Sequence, residues 1–158
     1  MAEFRVVDYR SLPEEMKQEA LRRSYSVYSG ADTPGPYAKE FMEFTEKNCG
    51  IRCMMQDGKL VGVVTFREKK SGLMLDEVWA KPSREFLLKN GMTIGRKLTL
   101  VVQGMARKKG MKFEISGFIG AGKRFGVRLR GELHYTPKRL GGKRKAVLQR
   151  RRNQPRFP

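Results

Sequence analysis

The clearest hydrophobic pattern in the chain lies between residues 94 and 110. Apolar residues recur there at the spacing of one face of an α-helix. They are Ile94, Leu98, Val101, Val102 and Met105. Basic residues follow this pattern, and Gly110 is a typical residue after the last helical turn. The sequence therefore predicts a long amphipathic helix that ends at Gly110.

Five shorter segments have the apolar content and alternation of β-strands. They are Phe4–Tyr9, Ile51–Gln56, Lys59–Glu68, Leu73–Ala80 and Met111–Ser116. An Asp57-Gly58 turn between the second and third segments is a strong hairpin signal. The middle three strands are therefore expected to form an antiparallel meander. The fifth segment, Met111–Ser116, follows a helical crossover, so we expect it to run parallel to Leu73–Ala80.

Two further helices are predicted between the first and second strands. The sequence Ser11–Glu14 is typical of a capping box with proline in the first turn, which places a helix at about Pro13–Tyr28. Tyr37, Phe41 and Phe44 recur at helical spacing and predict a second helix with these aromatic side chains on one face.

The C-terminal part predicts a turn at Gly117–Gly122, a short helix at Lys123–Arg130 and a last strand at Glu132–Arg139. The fold class is therefore α+β, with a mixed, mostly antiparallel sheet flanked by helices. We expect one domain over residues 1–140 and an extended basic tail over residues 141–158.

Net charge is the unusual property of the composition. The chain has 34 basic and 16 acidic residues, a formal charge of +18, and residues 120–158 contain 13 basic residues against 1 acidic residue. Such an excess predicts a polyanionic partner, DNA or RNA, although a basic tail also suits an acidic protein surface in a larger assembly. The candidate contacts are Lys123, Arg124, Lys143, Arg144, Lys145, Arg150, Arg151 and Arg152.

Composition argues against a metal site and a membrane span. Cys49 and Cys53 do not have the spacing of a zinc or redox motif, and His134 is the sole histidine. No apolar run is long enough for a transmembrane helix, and the first residues are too charged for a signal peptide. We therefore expect a cytoplasmic protein without a metal, with a virion as the alternative location.

The turn before the long helix is a candidate anion site. The helix is expected to open just after Gly91 and Gly95, where unpaired backbone N–H groups and the helix dipole favour phosphate. The alternative is that both glycines only permit a turn.

The order of strand, two helices, three antiparallel strands, long helix, strand, short helix and strand resembles the GNAT acyltransferase family, over roughly residues 4–140. In that family the fourth strand and the long helix splay around acetyl-CoA, and a Gln/Arg-x-x-Gly-x-Gly/Ala turn binds the pyrophosphate. Trp79–Pro82 looks like the end of that strand, and Asn90–Gly95 lies where the turn belongs. The resemblance implies these cofactor-binding residues: Trp79, Ala80, Asn90, Gly91, Thr93, Gly95 and Arg96.

Three features depart from the family pattern. Asn90 replaces Gln/Arg, Thr93 replaces the first glycine, and Ser83–Lys89 looks like an inserted connection. The family's tyrosine acid, aligned on Gly131, falls on Val127. The role of this acid cannot be assigned to Tyr135 or Phe125 from spacing alone.

Acyl transfer to an amine needs a group that takes its proton, and carboxylates suit this role. Glu77 is the candidate general base, with Asp76 as the second choice. The alternative is structural: of two consecutive strand carboxylates, one faces solvent and the other pairs with a Lys or Arg.

Two functions follow from these patterns. The first is an acetyl-CoA-dependent N-acyltransferase. The second is an inactive GNAT-fold structural or nucleic-acid-binding component of a nucleoprotein particle, because a small domain with a basic tail also looks like proteins encoded among bacteriophage virion genes. An NTPase is disfavoured, since the loop Gly117–Lys123 is followed by Arg124 where a magnesium-binding hydroxyl is needed.

Overall fold

The computed structural model describes residues 2–29 and 37–115. Within them the chain forms five strands and four α-helices. In chain order these are β1 (Phe4–Asp8), α1 (Glu14–Ser29), α2 (Ala38–Asn48), β2 (Gly50–Gln56), β3 (Lys59–Lys69), β4 (Gly72–Ala80), α3 (Arg84–Asn90), α4 (Ile94–Lys108) and β5 (Phe113–Ile115). The turn, short helix and strand predicted over residues 117–139, and the basic tail, lie outside the described residues.

The strands form one sheet in the order β1-β2-β3-β4-β5. The first four strands are antiparallel to their neighbours, and β5 runs parallel to β4. Asp57 and Gly58 have positive φ angles of 50° and 80°, as a two-residue hairpin turn requires. The structure confirms the predicted α+β class. It also confirms the antiparallel meander and the parallel pairing of β5 with β4.

Helices cover both faces of the sheet. On one face, Ile94, Leu98 and Val102 of α4 are buried in the main apolar cluster with side chains of β2, β3 and β4. On the other face, Ala20 and Leu21 of α1 are buried in a second cluster. The two clusters divide the sheet into an α4 face and an α1 face, and each candidate side chain can be assigned to one of them.

Gly62 of β3 allows α4 to lie close to the sheet. A Cβ atom built at this position would lie 2.8 Å from a side-chain carbon of Ile94 and 2.8 Å from one of Leu98. Real Cβ atoms do not approach carbon atoms so closely. The first turns of α4 therefore rest directly on the backbone of β3.

Two details of the predicted helices are wrong. Ser11 does not cap α1, because it lies in a 3-10 turn (Tyr9–Ser11) and its hydroxyl donates to the carbonyl of Asp8 at 2.7 Å. Tyr37 does not share the buried face of α2: it is 64% exposed at the helix start, whereas Phe41 is fully buried.

The connection after β4 is a helix, which corrects the expected loop at Ser83–Lys89. The Ser83 hydroxyl accepts from the backbone N–H of Phe86 at 3.1 Å and caps the first turn of α3. Phe86 is buried and packs edge-on against Phe4, with ring centroids 5.0 Å apart. Gly91 ends the helix in the left-handed conformation, at φ 68°.

Among the described residues, no helix is long and apolar enough to cross a membrane. The same residues contain no cluster of three or more His, Cys, Asp or Glu side chains that could hold a metal ion.

Candidate functional site

A β-bulge in β4 sets the directions of the two candidate carboxylates. Thr65 of β3 lies opposite Glu77, but the next residue, Phe66, lies opposite Leu75. Asp76 is therefore an extra residue of β4, and no residue of β3 is assigned opposite it in this register. A bulge bends the strand and interrupts the alternation of side chains, so consecutive residues no longer need to point to opposite faces.

Asp76 is held in an ion pair. Its two carboxylate oxygens accept from Nε and Nη2 of Arg67 at 2.6 and 3.1 Å. The Asp76 side chain is fully buried, and the hydrogen bond to it raises the pKa of Arg67 above its ordinary value. The Arg67 guanidinium also lies 5.8 Å from the ring centre of Phe44 in α2, which puts the pair on the α1 face. This arrangement suits a structural role for Asp76.

Glu77 lies on the same face, among hydroxyl groups. Its Oε1 accepts from Ser24 of α1 at 3.3 Å and from Thr65 at 3.1 Å. The residue is only 2% exposed, and Ser24 and Thr65 are equally buried. The bulge thus turns both carboxylates inward, and the expectation that one of them faces solvent is wrong.

Trp79 and Ala80 lie on opposite sides of the sheet. Ala80 packs against the apolar cluster of the α4 face, whereas Trp79 packs against the cluster of the α1 face. The Arg23 guanidinium of α1 lies over the Trp79 ring, 4.5 Å from its centre, in a cation–π contact. Of these two predicted cofactor residues, only Ala80 has its side chain on the side of α4.

The described pairing of β4 with β5 is limited to the first half of β4. β5 pairs with β4 from Leu73 to Leu75, and the described part of β5 ends there. From Asp76 to Ala80, the described residues pair with β4 on the β3 side only.

The remaining predicted cofactor residues lie around the start of α4. Asn90 and Gly91 end α3, Thr93 is the N-cap of α4, and Gly95 and Arg96 belong to its first turn. The helix therefore begins before Gly95, not after it as expected. Thr93 has an ordinary extended conformation, with φ −76° and ψ 161°, so the backbone does not require glycine there.

Capping leaves part of this helix start available. The Thr93 hydroxyl accepts from the backbone N–H of Arg96 at 3.2 Å. The first turn of a helix has four N–H groups without partners inside the helix, and one capping hydroxyl satisfies only one of them. The residues present therefore fit an anionic group at the start of α4.

Ser24, Thr65, Arg67 and Arg23 were not among the predicted site residues. Ser24 and Glu77 are 53 positions apart, and Thr65 and Glu77 are 12 positions apart. Such contacts depend on strand register and helix placement, which no local motif encodes. The structure brings Glu77, Asp76 and Trp79 together on the α1 face and groups Asn90 to Arg96 at the α3–α4 connection.

Comparison with solved structures relates this arrangement to known proteins. An aminoglycoside N-acetyltransferase in complex with CoA matches 84% of this chain and 86% of its own, with 14% identity and a TM-score of 0.53. A GNAT family acetyltransferase from Brucella melitensis in complex with acetyl-CoA matches 78% of this chain and 82% of its own, with 17% identity and a TM-score of 0.52.

The chain has the GNAT fold. No protein-family model and no curated protein sequence matches it. The resemblance to GNAT proteins seen in the order of elements is therefore confirmed for the fold. In this GNAT fold the bulged strand β4 and the helix start at Thr93 are the two parts that the sequence singled out.

Proposed function

We propose that this protein is an N-acyltransferase that uses acetyl-CoA as its acyl donor. The observation that carries this proposal is the start of α4, where Thr93 caps the first turn and no acidic residue lies beside the remaining backbone N–H groups. The two solved structures of the same fold contain CoA and acetyl-CoA. Acetyl-CoA carries a pyrophosphate, so its anionic part matches the helix start.

The start of α4 provides the phosphate-binding part of this proposal. Backbone N–H groups and the helix dipole attract an anion there, and Arg96 and Lys97 add two positive charges in the first turn. No acidic residue lies in this turn. The Thr93 hydroxyl fixes the turn by capping Arg96, which places the other N–H groups before any ligand arrives.

Glu77 is the proposed general base. It lies in β4, and the Thr65 and Ser24 hydroxyls hold one oxygen of its carboxylate in a fixed position. Because the side chain is 2% exposed, we propose that the proton reaches it through a water molecule. Asp76 is less suited to this role, since Arg67 binds both of its oxygens.

The proposed reaction transfers the acetyl group of acetyl-CoA to an amine. Acetyl-CoA supplies the thioester. Glu77 takes a proton from the acceptor ammonium through the water, and the nitrogen lone pair forms a C–N bond to the acetyl carbon. The C–S bond breaks with its electron pair on sulfur, the nitrogen loses its second proton to solvent, and the leaving thiolate takes a proton from solvent, so a neutral amide and a free thiol result.

Calorimetric titration with acetyl-CoA tests the donor site. We expect saturable binding, and an Arg96→Glu variant should weaken it by about tenfold because one cation near the phosphates becomes an anion. A glutamate in the first turn favours the helix, so this variant should remain folded. Lys108→Glu makes the same charge change in the last turn of α4 and should leave the affinity unchanged. Absence of binding at millimolar acetyl-CoA would refute the proposal.

Charge distribution favours a second candidate function, binding to DNA or RNA. α3 and α4 together contain six basic residues and one acidic residue, whereas α1 and α2 contain five basic and six acidic residues. The α4 face is therefore basic, and the sequence of residues 120–158 has a further excess of positive charge. Such charges bind phosphate backbones without regard to sequence.

Retention on immobilised DNA or RNA at increasing salt tests this second function. The full chain should elute at higher salt than a variant lacking residues 141–158, because fewer phosphates are neutralised in the variant. Equal elution of the two proteins would contradict a role for the tail. Acetyl-CoA binding by the truncated variant would show in addition that the two functions are separate.

A further inference from the structure

Arg23 has an unusual environment for a surface cation. Its guanidinium lies over the Trp79 ring at 4.5 Å and is half-buried. Among residues 2–29 and 37–115, no carboxylate forms an ion pair with it. Arg67, by contrast, is matched by Asp76 at 2.6 Å on the same face of the sheet. The indole ring thus orients a positive charge that the described part of the fold leaves without a counter-ion.

Arg23 and the proposed base are related through their neighbours in the chain. Ser24 directly follows Arg23 in α1 and donates to Glu77 at 3.3 Å. Trp79 follows Glu77 by two positions in β4, a separation of about 7 Å along a strand. The Glu77 carboxylate and the Arg23 guanidinium therefore both lie on the α1 face, and among the described residues no ion pair joins them.

We propose that Arg23 binds the carboxylate of the acyl acceptor, and that the acceptor is a primary amine that also carries a carboxylate. The inference rests on the proposed acyltransferase function. An acceptor of this kind matches the two charges: its ammonium is connected to Glu77 through the proposed water molecule, and its carboxylate approaches Arg23. The planar guanidinium can donate two parallel hydrogen bonds to a carboxylate, and its stacking on Trp79 fixes the plane in which it does so.

Trp79 provides a direct test, because it is the single tryptophan of the chain. A carboxylate bound by Arg23 changes the electrostatic surroundings of the indole, so binding is expected to alter Trp79 fluorescence. The full chain is titrated with β-alanine and 4-aminobutyrate, and in parallel with the primary amides of both compounds. At least one amino acid should bind about tenfold or more tightly than its amide, since the amide lacks the charge.

A matched pair of variants assigns the effect to Arg23. Arg23→Gln should remove the difference between amino acid and amide, with calorimetry as the readout, because the substitution also changes the surroundings of Trp79. Arg22→Gln removes an exposed charge one position earlier in α1 and should preserve the difference. Arg23→Lys keeps the charge without the planar fork and should restore part of it.

Three results would overturn the inference: no saturable response to either amino acid, equal responses to acids and amides, or a preference for acids that survives in Arg23→Gln. The comparison of acid with amide uses the wild-type protein, so it does not depend on the folding of a variant. These titrations do not require acetyl-CoA. Failure of acetyl-CoA to bind therefore refutes the acyltransferase function separately from the recognition of a carboxylate by Arg23.

Discussion

Thr65 binds Glu77 twice with one hydroxyl group. Its Oγ1 accepts from the backbone N–H of Glu77 at 3.1 Å and donates to the carboxylate Oε1 of the same residue, also at 3.1 Å. The bulge at Asp76 disturbs the regular ladder at this point, and the threonine side chain provides a partner for the Glu77 N–H group. One hydroxyl therefore fixes both the backbone and the side chain of the proposed base.

Replacement of Thr65 by Val should destabilise the protein by about 1–3 kcal/mol, because a buried N–H and a buried carboxylate each lose a partner. Unfolding in urea measures the change. Thr45→Val is the matched control: Thr45 is also fully buried, but its hydroxyl has no hydrogen-bond partner in the structure of the described residues. That substitution should be neutral or stabilising. Equal losses in both variants would contradict the role assigned to the Thr65 hydroxyl.

Glu77→Gln should lower the rate of acyl transfer by about a hundredfold or more, since an amide cannot accept the proton. Affinity for acetyl-CoA should stay the same, because Glu77 is proposed to act on the acceptor. The rate is measured from release of free thiol, and affinity by calorimetry. Glu43→Gln, on the exposed side of α2, serves as the control and should retain full activity. A fully active Glu77→Gln protein would exclude Glu77 as the base.

Asp76→Asn should act on stability more than on chemistry. The substitution removes the negative charge from a buried, doubly hydrogen-bonded ion pair and leaves the Arg67 guanidinium without its counter-ion. Breaking a buried pair in this way costs about 3–5 kcal/mol, at the lower end here because Arg67 retains 20% side-chain exposure. Chemical denaturation measures the loss. Replacing both residues, as in Arg67→Met with Asp76→Leu, should recover much of it, and no recovery would contradict this explanation.

Two glycines in neighbouring helices should respond to alanine in opposite ways. Gly91 ends α3 at φ 68°, so Gly91→Ala should destabilise the protein by about 1–2 kcal/mol. Gly104 lies inside α4, and a Cβ atom there meets no atom within 4 Å. Gly104→Ala should therefore stabilise the protein by about 0.5–1 kcal/mol. Thermal unfolding of both variants measures the two changes. Melting temperatures that shift in the same direction would contradict the backbone conformation assigned to one of these glycines.

Cys53 should make the protein less stable at high pH. Burial, together with the nearby Asp8 carboxylate, raises the pKa of its thiol from 9.0 to about 12. The unfolded chain thus releases this proton near pH 9 while the folded protein retains it. The stabilisation by the protonated Cys53 thiol is fully present below pH 9. Between pH 9 and about 12 it is lost, and the free energy of unfolding falls by up to about 1.4 kcal/mol per pH unit.

Comparison with Cys53→Ala isolates this contribution, because other groups titrate in the same range. The difference in free energy of unfolding between the wild type and Cys53→Ala should shrink as the pH rises from 8 to 11. Cys49, which is only half-buried, provides the matched substitution Cys49→Ala. A difference that stays constant with pH would show that the Cys53 thiol titrates normally.

Local patterns in the sequence predicted most of the described fold. The Asp57-Gly58 turn fixes the hairpin because both residues can adopt positive φ, and the apolar spacing from Ile94 to Met105 corresponds to one face of α4. α3 was missed although Ser83 and Gly91 are typical capping residues, because comparison with the family pattern treated the segment as an insertion. The capping residues Ser83 and Gly91 therefore indicate α3 more directly than the family pattern does.

The directions of the candidate carboxylates could not be predicted. Strict alternation places Asp76 and Glu77 on opposite faces, and only the register of β3 against β4 reveals the extra residue. The Arg23 contact with Trp79 joins a helix to a strand 56 positions away, so it depends on how the layers pack. Sequence patterns identified the residues of the strand, and tertiary packing determined their partners.

The close contact at Gly62 has a consequence for where a ligand would bind. Since β3 carries no side chain there, Ile94 and Leu98 set the height of the first turns of α4 above the sheet. A methyl group at position 62 would lift this end of the helix while the turns around Val102 stay anchored, and the helix would tilt. The position of the N–H groups near Thr93 is thus controlled from the middle of another strand, by a residue that no ligand needs to touch.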